Sequence, residues 1–497
     1  MLLKKSCNLF FVILGLFVLL CTGCQTTPEQ EVVISKKDGA FDASVIESAE
    51  ETHAADDTQE VSFLSEFSST DGSVNFHIGI ENTLPNPDMS VVRVVPHFFT
   101  ATDAKRVANL LFPNAVFYEA EPAREENYSQ NEIQEKIERW SQFTSVEALK
   151  TLYGDIYTDE SLSKTADIVK TFIQQYTLMY ESAPSENPHA LCRWEMRKTS
   201  EYLLPSEELI GKDISNDNDE ISIQFTVDGI PYYFTVATRN RSDFRVNMIS
   251  VYIDDGLSPS NIDERIFAAQ LCRTEKPTEE QIDAVAKNAE EILSMMELGE
   301  WIVDECYINH TTVGDENEYT ICVNAVPVIN GLPALRQPQL TSLRDENGYA
   351  PNQYVTDANF EFAPSGELIS FTLYTPLDTQ EIVNDNVKVM SMDTLMKRAQ
   401  DLLELTDYYE YGFGFLVDFM DEKVKCNVNI TQIEYGLARV KVPNSDGEYY
   451  YVPAITLKGY AEYLGEETNK VLYQDEAAVT LMTLNAIDGT VINTTNS

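Results

Sequence analysis

Hydrophobic and polar residues alternate with a period of two most regularly between residues 221 and 239. This pattern is typical of β-strands that have one buried face. Asp228 and Gly229 at its centre favour a type I′ turn, because both residues tolerate positive φ. We therefore predict a hairpin with apolar pairs on one face, followed by a third strand at 245–253. The expected pairs are Val227 with Ile230, Phe225 with Tyr232, Ile223 with Phe234, and Ile221 with Val236.

Apolar residues recur with the helical period in three segments of the first half of the chain. Two of these segments follow a capping signature, in which a Ser or Thr precedes an acidic residue by three positions. The signatures are Thr100 with Asp103 and Ser129 with Glu132, and the third helix is predicted over 159–181. Short alternating runs predict strands at 61–68, 73–80 and 91–95, the first two joined as a hairpin.

The C-terminal half repeats one plan, an amphipathic helix followed by alternating strands. The first helix is predicted from Thr278 to Gly299 and the second over residues 392–411. Helices that pack on antiparallel strands in this order are typical of an α+β fold. The expected strands are 301–308, 318–329, 358–363 and 367–375 after the first helix, and 424–434, 437–442, 448–458 and 476–492 after the second.

The N-terminus has an uninterrupted apolar run and no helical or strand periodicity. Lys4 and Lys5 precede the run Leu9–Leu20, which is shorter than the roughly 20 residues that a transmembrane helix needs. Such a run is typical of a signal peptide. It is followed by Cys21–Cys24, and the small residue Gly23 before the last cysteine resembles the bacterial lipobox.

The lipobox resemblance implies that residues 1–23 are a lipoprotein signal peptide and that the thiol of Cys24 is acylated. The lipid would anchor the chain on the outer face of the cytoplasmic membrane, which makes the membrane its first partner. The alternative is an ordinary cleaved secretory signal. Residues 24–60 are acidic and show little apolar periodicity, so they predict a disordered tether.

The length of 497 residues favours several domains rather than one. We expect a multi-domain α+β chain in which amphipathic helices pack on antiparallel sheets. The predicted divisions after the tether are an N-terminal α+β domain at 61–260, a first helix-plus-antiparallel-sheet unit at 261–385, and a second such unit at 386–497.

The charge restricts the partners of the protein. With 81 Asp and Glu against 35 Lys and Arg, the formal net charge is −46. Nucleic acid is therefore excluded as an expected partner, since its phosphates require cationic side chains.

The cysteines beyond the lipobox are too few for a disulfide framework, and their odd number leaves at least one unpaired. Cys306 and Cys322 are equally far from Gly314, which lies between two predicted strands. We therefore expect these cysteines to face each other on one hairpin as a candidate disulfide.

Two stretches in the C-terminal half resemble a known family. TLNAIDGTVIN at 483–493 and VPVINGLP at 326–333 resemble strands and turns of PepSY-type domains, and the order of helix, strand and strand is similar. More broadly, residues 90–112 and 437–493 resemble uncharacterised lipoproteins of Gram-positive bacteria. The resemblance implies a regulator or inhibitor of envelope proteases, peptidoglycan hydrolases or sensor kinases, with no catalytic residues to carry over.

Two spacings of catalytic or metal sites occur in the chain, but their context argues against both. Ser161-x-x-Lys164 matches the first box of penicillin-binding proteins but no Lys-Thr-Gly follows, and Cys21-x-x-Cys24 belongs to the lipobox. The five histidines are dispersed, with no pair at helical spacing, so we expect no zinc site. Without a nucleophile elbow or a phosphate-binding loop, the sequence predicts no catalytic residue, no metal ligand and no cofactor. The acidic stretch 213–220 departs from the calcium-binding EF-hand pattern and is predicted to be a solvated loop. Aromatic clusters at 408–419 and 449–451 are typical of a core, although a sugar or peptide groove is the alternative.

Three functions stay open on this basis. The leading hypothesis is a membrane-tethered interaction or regulatory lipoprotein of the cell envelope, which binds an envelope protein partner without catalysis. The second is a solute-binding lipoprotein of a transporter, and the third is a carboxylate-based envelope hydrolase, because paired carboxylates need only meet in space. The last strand, ending at 490–493, is expected to be an exposed edge that a partner strand can extend.

Overall fold

The fold is taken from a computed structural model of the chain. The described residues are 43–50, 58–70, 72–85, 88–120, 128–154, 157–186, 190–198, 218–240, 245–253, 262–313, 316–336, 356–405, 424–443, 445, 448–465, 468, 470–474 and 478–492. Within these ranges, no helix has both the length and the apolar character needed to cross a membrane.

Helices and strands are labelled in chain order. The helices are α1 (Ala101–Leu111), α2 (Gln130–Ser141), α3 (Val146–Tyr153), α4 (Asp159–Tyr180), α5 (Ile262–Cys272), α6 (Glu279–Met295) and α7 (Met392–Leu405). The strands up to residue 253 are β1 (Thr58–Ser68), β2 (Val74–Pro85), β3 (Val91–Pro96), β4 (Tyr118–Glu119), β5 (Arg197–Lys198), β6 (Asn218–Val227), β7 (Ile230–Asn240) and β8 (Arg245–Ile253). The later strands are β9 (Glu300–Val313), β10 (Glu316–Ile329), β11 (Leu332–Pro333), β12 (Asp357–Phe362), β13 (Leu368–Tyr374), β14 (Leu377–Asn384), β15 (Val424–Lys441), β16 (Tyr449–Gly465), β17 (Val471–Gln474) and β18 (Val479–Asn485).

The local predictions from turns and caps are confirmed. The β6–β7 hairpin turns at Asp228 and Gly229 with φ of 50° and 86°, and its register contains all four predicted apolar pairs. Side chains of Thr100, Ser129 and Thr278 cap α1, α2 and α6, each in a capping box with the residue three positions later. These elements form where they were expected because caps and tight turns depend on neighbouring residues alone.

The first of two large sheets, sheet I, has the order β1-β2-β15-β16-β3-β14, and β17 and β18 also pair with β16. Its neighbours are antiparallel except for β2 and β15, which run parallel. One face packs on the apolar stripe of α7, in which Leu395, Met396, Ala399 and Leu403 are almost fully buried. The helix therefore covers the core of sheet I.

The second sheet, sheet II, has the order β11-β10-β12-β13-β8-β7-β6-β4, with β9 on β10 and β5 on β6. All of these pairs are antiparallel. One face packs on α1 and α6 through residues such as Val107, Ala289 and Leu293. The mostly antiparallel sheets and their covering helices confirm the predicted α+β class.

A helical cap, formed by α2, α3 and α4, has a small core of its own around the buried Trp140. The helix α5 links this cap to sheet II. Ala269 belongs to the core of the cap, whereas Phe267 and Cys272 on the same helix belong to the core of sheet II. The cap is therefore attached to the sheet through both faces of α5.

A polar joint, formed around Asn247 and His97, connects the two sheets. Asn247 is fully buried. Its side-chain amide donates to the His97 carbonyl, and its backbone carbonyl accepts from the Thr375 N–H at 2.7 Å. The His97 ring lies 3.5 Å from Asp103 on α1 and 3.2 Å from Asp378 on β14. Buried polar atoms are costly unless they are hydrogen-bonded, so these contacts favour one relative placement of the sheets.

Several predicted boundaries are wrong. Sheet I combines strands from 58–96, 377–384 and 424–485, so it does not follow the divisions 61–260, 261–385 and 386–497. Residues 43–50 of the expected tether (24–60) lie against the segment before α7, where Ala49 N–H donates to the Asn386 carbonyl at 2.9 Å. Residues 424–441 are one strand rather than two, because Tyr435 and Gly436 pair with Ile455 and Ala454 and continue the ladder.

Candidate functional site

The face of sheet II opposite α1 and α6 is polar, and we call it the polar face. Directly paired residues of neighbouring strands point to the same side of a sheet, so the register defines rows of side chains across it. The first row is Tyr118, Gln224, Tyr233, Tyr252, Ser370, Glu361, Cys322 and Tyr307. The second row is Ser222, Thr235, Ser250, Thr372, Asn359, Asn324 and Glu305.

The same alternation that buries one side of each strand builds this polar face. Along β13, Phe371 and Leu373 enter the core, while Ser370 and Thr372 point to the other side. Side chains of the two rows are partly or fully exposed, apart from the buried Ser250 and Asn324. The polar face is thus an accessible surface rather than a second core.

Four tyrosines, Tyr118, Tyr233, Tyr252 and Tyr307, lie in the first row of the polar face. Tyr252 is 41% exposed and Tyr307 is 45% exposed. The rings of Tyr233 and Tyr252 are stacked, with centroids 5.8 Å apart and an interplanar angle of 19°. Neither row contains a Lys or Arg, whereas both contain a carboxylate, in Glu361 and in Glu305, and Glu305 pairs with Arg336 at 3.1 Å. The surface is therefore hydrogen-bonding, aromatic and weakly acidic.

A cleft of about 440 Å³ lies where the first row meets α5. Glu361 is held there by two hydroxyl groups. Thr320 Oγ1 donates to one carboxylate oxygen at 2.8 Å, and Ser370 Oγ donates to the other at 3.3 Å. Tyr252 and Asn309 also line the cleft. The two hydroxyls thereby fix the orientation of the carboxylate, and among the described residues no cationic side chain is hydrogen-bonded to it.

An ion-pair cluster forms the wall of the cleft toward the cap. The Arg265 guanidinium donates to both oxygens of Glu318, and Arg273 Nε donates to one of them at 2.8 Å. Both arginines also donate to the carbonyl of Leu152 at the end of α3. Burial alone would raise the pKa of Glu318, but the hydrogen bonds and charges of the two arginines outweigh it and hold the pKa below its usual value.

The predicted pairing of Cys306 with Cys322 is wrong by one residue. Val313 pairs with Glu316, so the register is centred between residues 314 and 315 rather than on Gly314. Cys306 therefore lies opposite Val323 and Cys322 opposite Tyr307, on opposite faces of the sheet. Both thiols are free, and burial raises the pKa of each.

The expected edge at the C-terminus also differs from the structure. The last strand ends at Asn485, and the chain then turns through Gly489 and returns along it. Val491 bridges to Leu484, and the Asn485 N–H donates to the Thr490 carbonyl at 2.9 Å. The end of the strand is thus covered by its own continuation.

The remaining candidate site residues from the sequence lie either in the core of sheet I or outside the described residues. Tyr449 and Tyr451 are buried in the core of sheet I, in agreement with the core interpretation. Cys24, the cluster 408–419 and residues 213–217 lie outside the described residues. In the described part of the chain, no group of three His, Cys, Asp or Glu side chains is placed to hold a metal ion.

Comparison with known proteins gives little beyond a structural likeness. No family model and no curated protein matches the chain. The crystal structure of an uncharacterized protein from Eubacterium rectale ATCC 33656 is similar over 84% of this chain and 90% of that chain, with 10% sequence identity and a TM-score of 0.34.

The polar face was missed from the sequence although its signal was present. The residues between the predicted core positions of β6 and β7 are Ser222, Gln224, Tyr233 and Thr235, which are polar or amphipathic. Any half-exposed strand shows such residues, so the alternation does not reveal that several strands join into one surface. Only the strand order shows this.

Proposed function

We propose that this protein is a lipoprotein of the cell envelope, anchored through Cys24 on the outer face of the cytoplasmic membrane, which holds an envelope protein partner without catalysis. The partner docks on the polar face of sheet II. The observation that carries the proposal is the pair of continuous polar rows, which are accessible and contain several tyrosines.

The composition of the polar face suits protein recognition. Tyr side chains supply rigid amphipathic contact area with little loss of conformational entropy, and Ser, Thr and Asn supply adaptable hydrogen bonds. Tyr233, Tyr252 and Tyr307 provide the first kind of contact, whereas Asn359 and Thr372 provide the second. Because these residues belong to one hydrogen-bonded sheet, their spacing is fixed before a partner arrives.

Charge indicates which partner surface fits. The two rows contain no basic residue, but Arg336 pairs with Glu305 at 3.1 Å, so Glu361 is the carboxylate of the rows without a cationic partner among the described residues. The whole chain has a formal net charge of −46. A partner with a basic docking surface is attracted by this field, and an acidic one is repelled. We therefore assign the polar face to a basic surface of an envelope protein.

Two sequence features support the envelope location and the PepSY-like arrangement. A lipid anchor is supported by the apolar run Leu9–Leu20 and by Gly23 before Cys24. A PepSY-like arrangement is supported by the order helix, strand, strand in α6–β9–β10 and in α7–β15–β16. Such domains regulate other envelope proteins, which agrees with a partner-binding role.

The hydrolase alternative finds little support in Glu318, the carboxylate in the wall of the cleft. Both carboxylate oxygens of Glu318 accept hydrogen bonds from Arg265, so they are not available as a nucleophile. The lowered pKa of Glu318 does not suit a general acid. The decisive assay is turnover by the purified full chain on peptidoglycan, oligosaccharide, peptide and phosphoester substrates. Hydrolysis that is lost on replacing one carboxylate, with folding retained, would overturn the non-catalytic role.

Site-specific photocrosslinking in intact cells tests the docking surface. A photoreactive phenylalanine is placed at Tyr233 or Tyr307 on the polar face, or at Leu64 on β1, which is 70% exposed on sheet I. We expect one and the same protein to be crosslinked at both polar-face positions and not at the control position. The crosslinked peptide of that protein should be basic.

A charge substitution supplies the second test. Thr372→Arg places a positive charge in the middle of the polar face, and Thr83→Arg places the same charge on an exposed position of β2 as a control. The first substitution should abolish the crosslink and the second should leave it unchanged. Equal crosslinking at Leu64, or a crosslink that is insensitive to Thr372→Arg, would show that the partner docks elsewhere.

A further inference from the structure

We infer that the cleft between the polar face and α5 is a binding site for a saccharide, one or two sugar rings in size. This inference concerns a small ligand, and the cleft shares Tyr252, Ser370 and Glu361 with the polar face. The volume of the cleft, about 440 Å³, falls within the range of about 300–1,000 Å³ that is usual for small-molecule sites.

Glu361 makes the cleft an acceptor for hydroxyl groups. Each of the Thr320 and Ser370 hydroxyls has one proton, and each donates it to the carboxylate. These hydroxyl oxygens are consequently left as acceptors, and the carboxylate retains further lone pairs. A ligand that offers several O–H donors in a small space satisfies this array, and adjacent hydroxyls on a sugar ring do so.

The charge of the wall favours a ligand without negative charge. In the wall toward the cap, the charges of Arg265 and Arg273 are balanced by those of Glu318 and Glu316, and Glu361 adds a negative charge. Phosphate and carboxylate ligands are therefore repelled. Asn309 and Thr311 complete the lining with neutral donors and acceptors. Neutral hydrogen-bonding groups outnumber unpaired charges, as expected for a polyhydroxyl ligand.

An aromatic surface and apolar side chains complete the site. Tyr252 lines the cleft and is 41% exposed, and its ring is stacked on Tyr233, which limits its movement. Ile253 and Ile369 lie on the same lining. Sugar rings have an apolar C–H face as well as polar edges, so a tyrosine ring beside a fixed carboxylate matches both parts of the ligand.

Saturation-transfer-difference NMR with the full chain in detergent micelles tests this inference directly. The probes are glucose, galactose, mannose, N-acetylglucosamine, cellobiose, maltose and the β-1,4-linked dimer of N-acetylglucosamine. Inorganic phosphate and 1,5-diaminopentane serve as an anionic and a cationic comparison. We expect saturation transfer to at least one saccharide, with the strongest transfer to protons of one ring face, and none to either comparison ligand.

Two variants and one control assign the binding to the cleft. Glu361→Gln should weaken saccharide binding about tenfold or more, because hydrogen bonds to a charged acceptor are lost. Tyr252→Ala should weaken it about fivefold through the loss of the aromatic surface. Glu367→Gln changes a carboxylate at the turn between β12 and β13, outside the cleft lining, and should have no effect. Circular dichroism melting curves check that each variant is folded.

Three results would overturn the saccharide assignment. The first is that none of the saccharides binds at millimolar concentration. The second is that binding is unchanged in folded Glu361→Gln and Tyr252→Ala. The third is that the diamine binds while none of the saccharides does. The last result would assign the cleft to an ammonium ligand paired with Glu361. A protein partner that is still crosslinked at Tyr233 and Tyr307 would show that the partner proposal survives any of these failures.

Discussion

Glu318 is expected to hold the helical cap on sheet II, and replacing it by Gln is the most direct test of the structure. The carboxylate belongs to β10, and its two arginine partners lie on or just after α5. Through the Leu152 carbonyl the same arginines bind the end of α3. Loss of the negative charge therefore acts on the contact between cap and sheet, and not on the cores of either.

The magnitude follows from burial. The Glu318 side chain is 8% exposed, and those of Arg265 and Arg273 are 17% and 18% exposed. Removing one partner of a buried ion pair costs about 3–5 kcal/mol. The arginines keep their backbone acceptors and some contact with water, and the Gln carbonyl still accepts one hydrogen bond, so we expect about 2–3 kcal/mol. That free energy raises the equilibrium constant for opening of the cap about 30- to 150-fold.

Hydrogen exchange followed by mass spectrometry measures this opening segment by segment. In Glu318→Gln, amides of α3 and α5 should exchange faster, while those of β15 and β16 in sheet I should not change. Glu316→Gln is the matched control, because Glu316 also contacts Arg273 at 3.0 Å but its side chain is 58% exposed. An exposed pair contributes less than about 1 kcal/mol, so this variant should exchange almost as the wild type does.

Two outcomes would contradict the role of Glu318 in holding the cap on sheet II. Unchanged exchange of α3 and α5 in Glu318→Gln would show that the ion pairs do not hold the cap. Equal acceleration in both sheets would show that the substitution destabilises the whole fold.

The lowered pKa of Glu318 adds a pH dependence to the same measurement. A carboxyl with a pKa below its unfolded value stabilises the folded state above the unfolded pKa, which is about 4.3, and this contribution is lost as the pH falls through the folded pKa. The cap should therefore open on acidification below about pH 4.3, and in Glu318→Gln the opening should depend less on pH.

Further predictions concern the backbone, the thiols and the anchor. Gly459→Ala should lower the free energy of unfolding in urea by about 3 kcal/mol, because the new Cβ would lie 2.8 Å from the Asn429 carbonyl carbon. Gly79→Ala is the control and should lower it less, because its Cβ meets no backbone atom within 4 Å. Cys306 and Cys322 should both react with a thiol reagent in unreduced, denatured protein, and a disulfide-linked peptide in mass spectrometry would contradict the observed register. Cys24→Ala should abolish acyl labelling and release the chain from membranes; a variant that stays labelled and membrane-bound would contradict the anchor.

Much of the candidate site lies beyond sequence reasoning for a physical reason. Glu318 and Arg265 are 53 residues apart, and nothing in either local pattern marks them as partners. The sequence contains 81 acidic residues, so a buried carboxylate is not distinguishable by residue type. The register error at Cys306 has the same origin, since a shift of one residue leaves the local pattern almost unchanged but moves a side chain to the opposite face.

Elements whose geometry depends on near neighbours follow directly from the local sequence. The turn at Asp228 and Gly229, the cap at Thr100 and the apolar stripe of α7 all formed where the pattern predicted them. Strand pairing, by contrast, is set at the level of the whole fold, because many alternating strands are equally able to bury one face. The parallel pairing of β2 with β15, which are separated by most of the chain, is stabilised by the core that they share with α7. The polar face is decided in the same way, since it exists only when strands from distant segments are placed side by side.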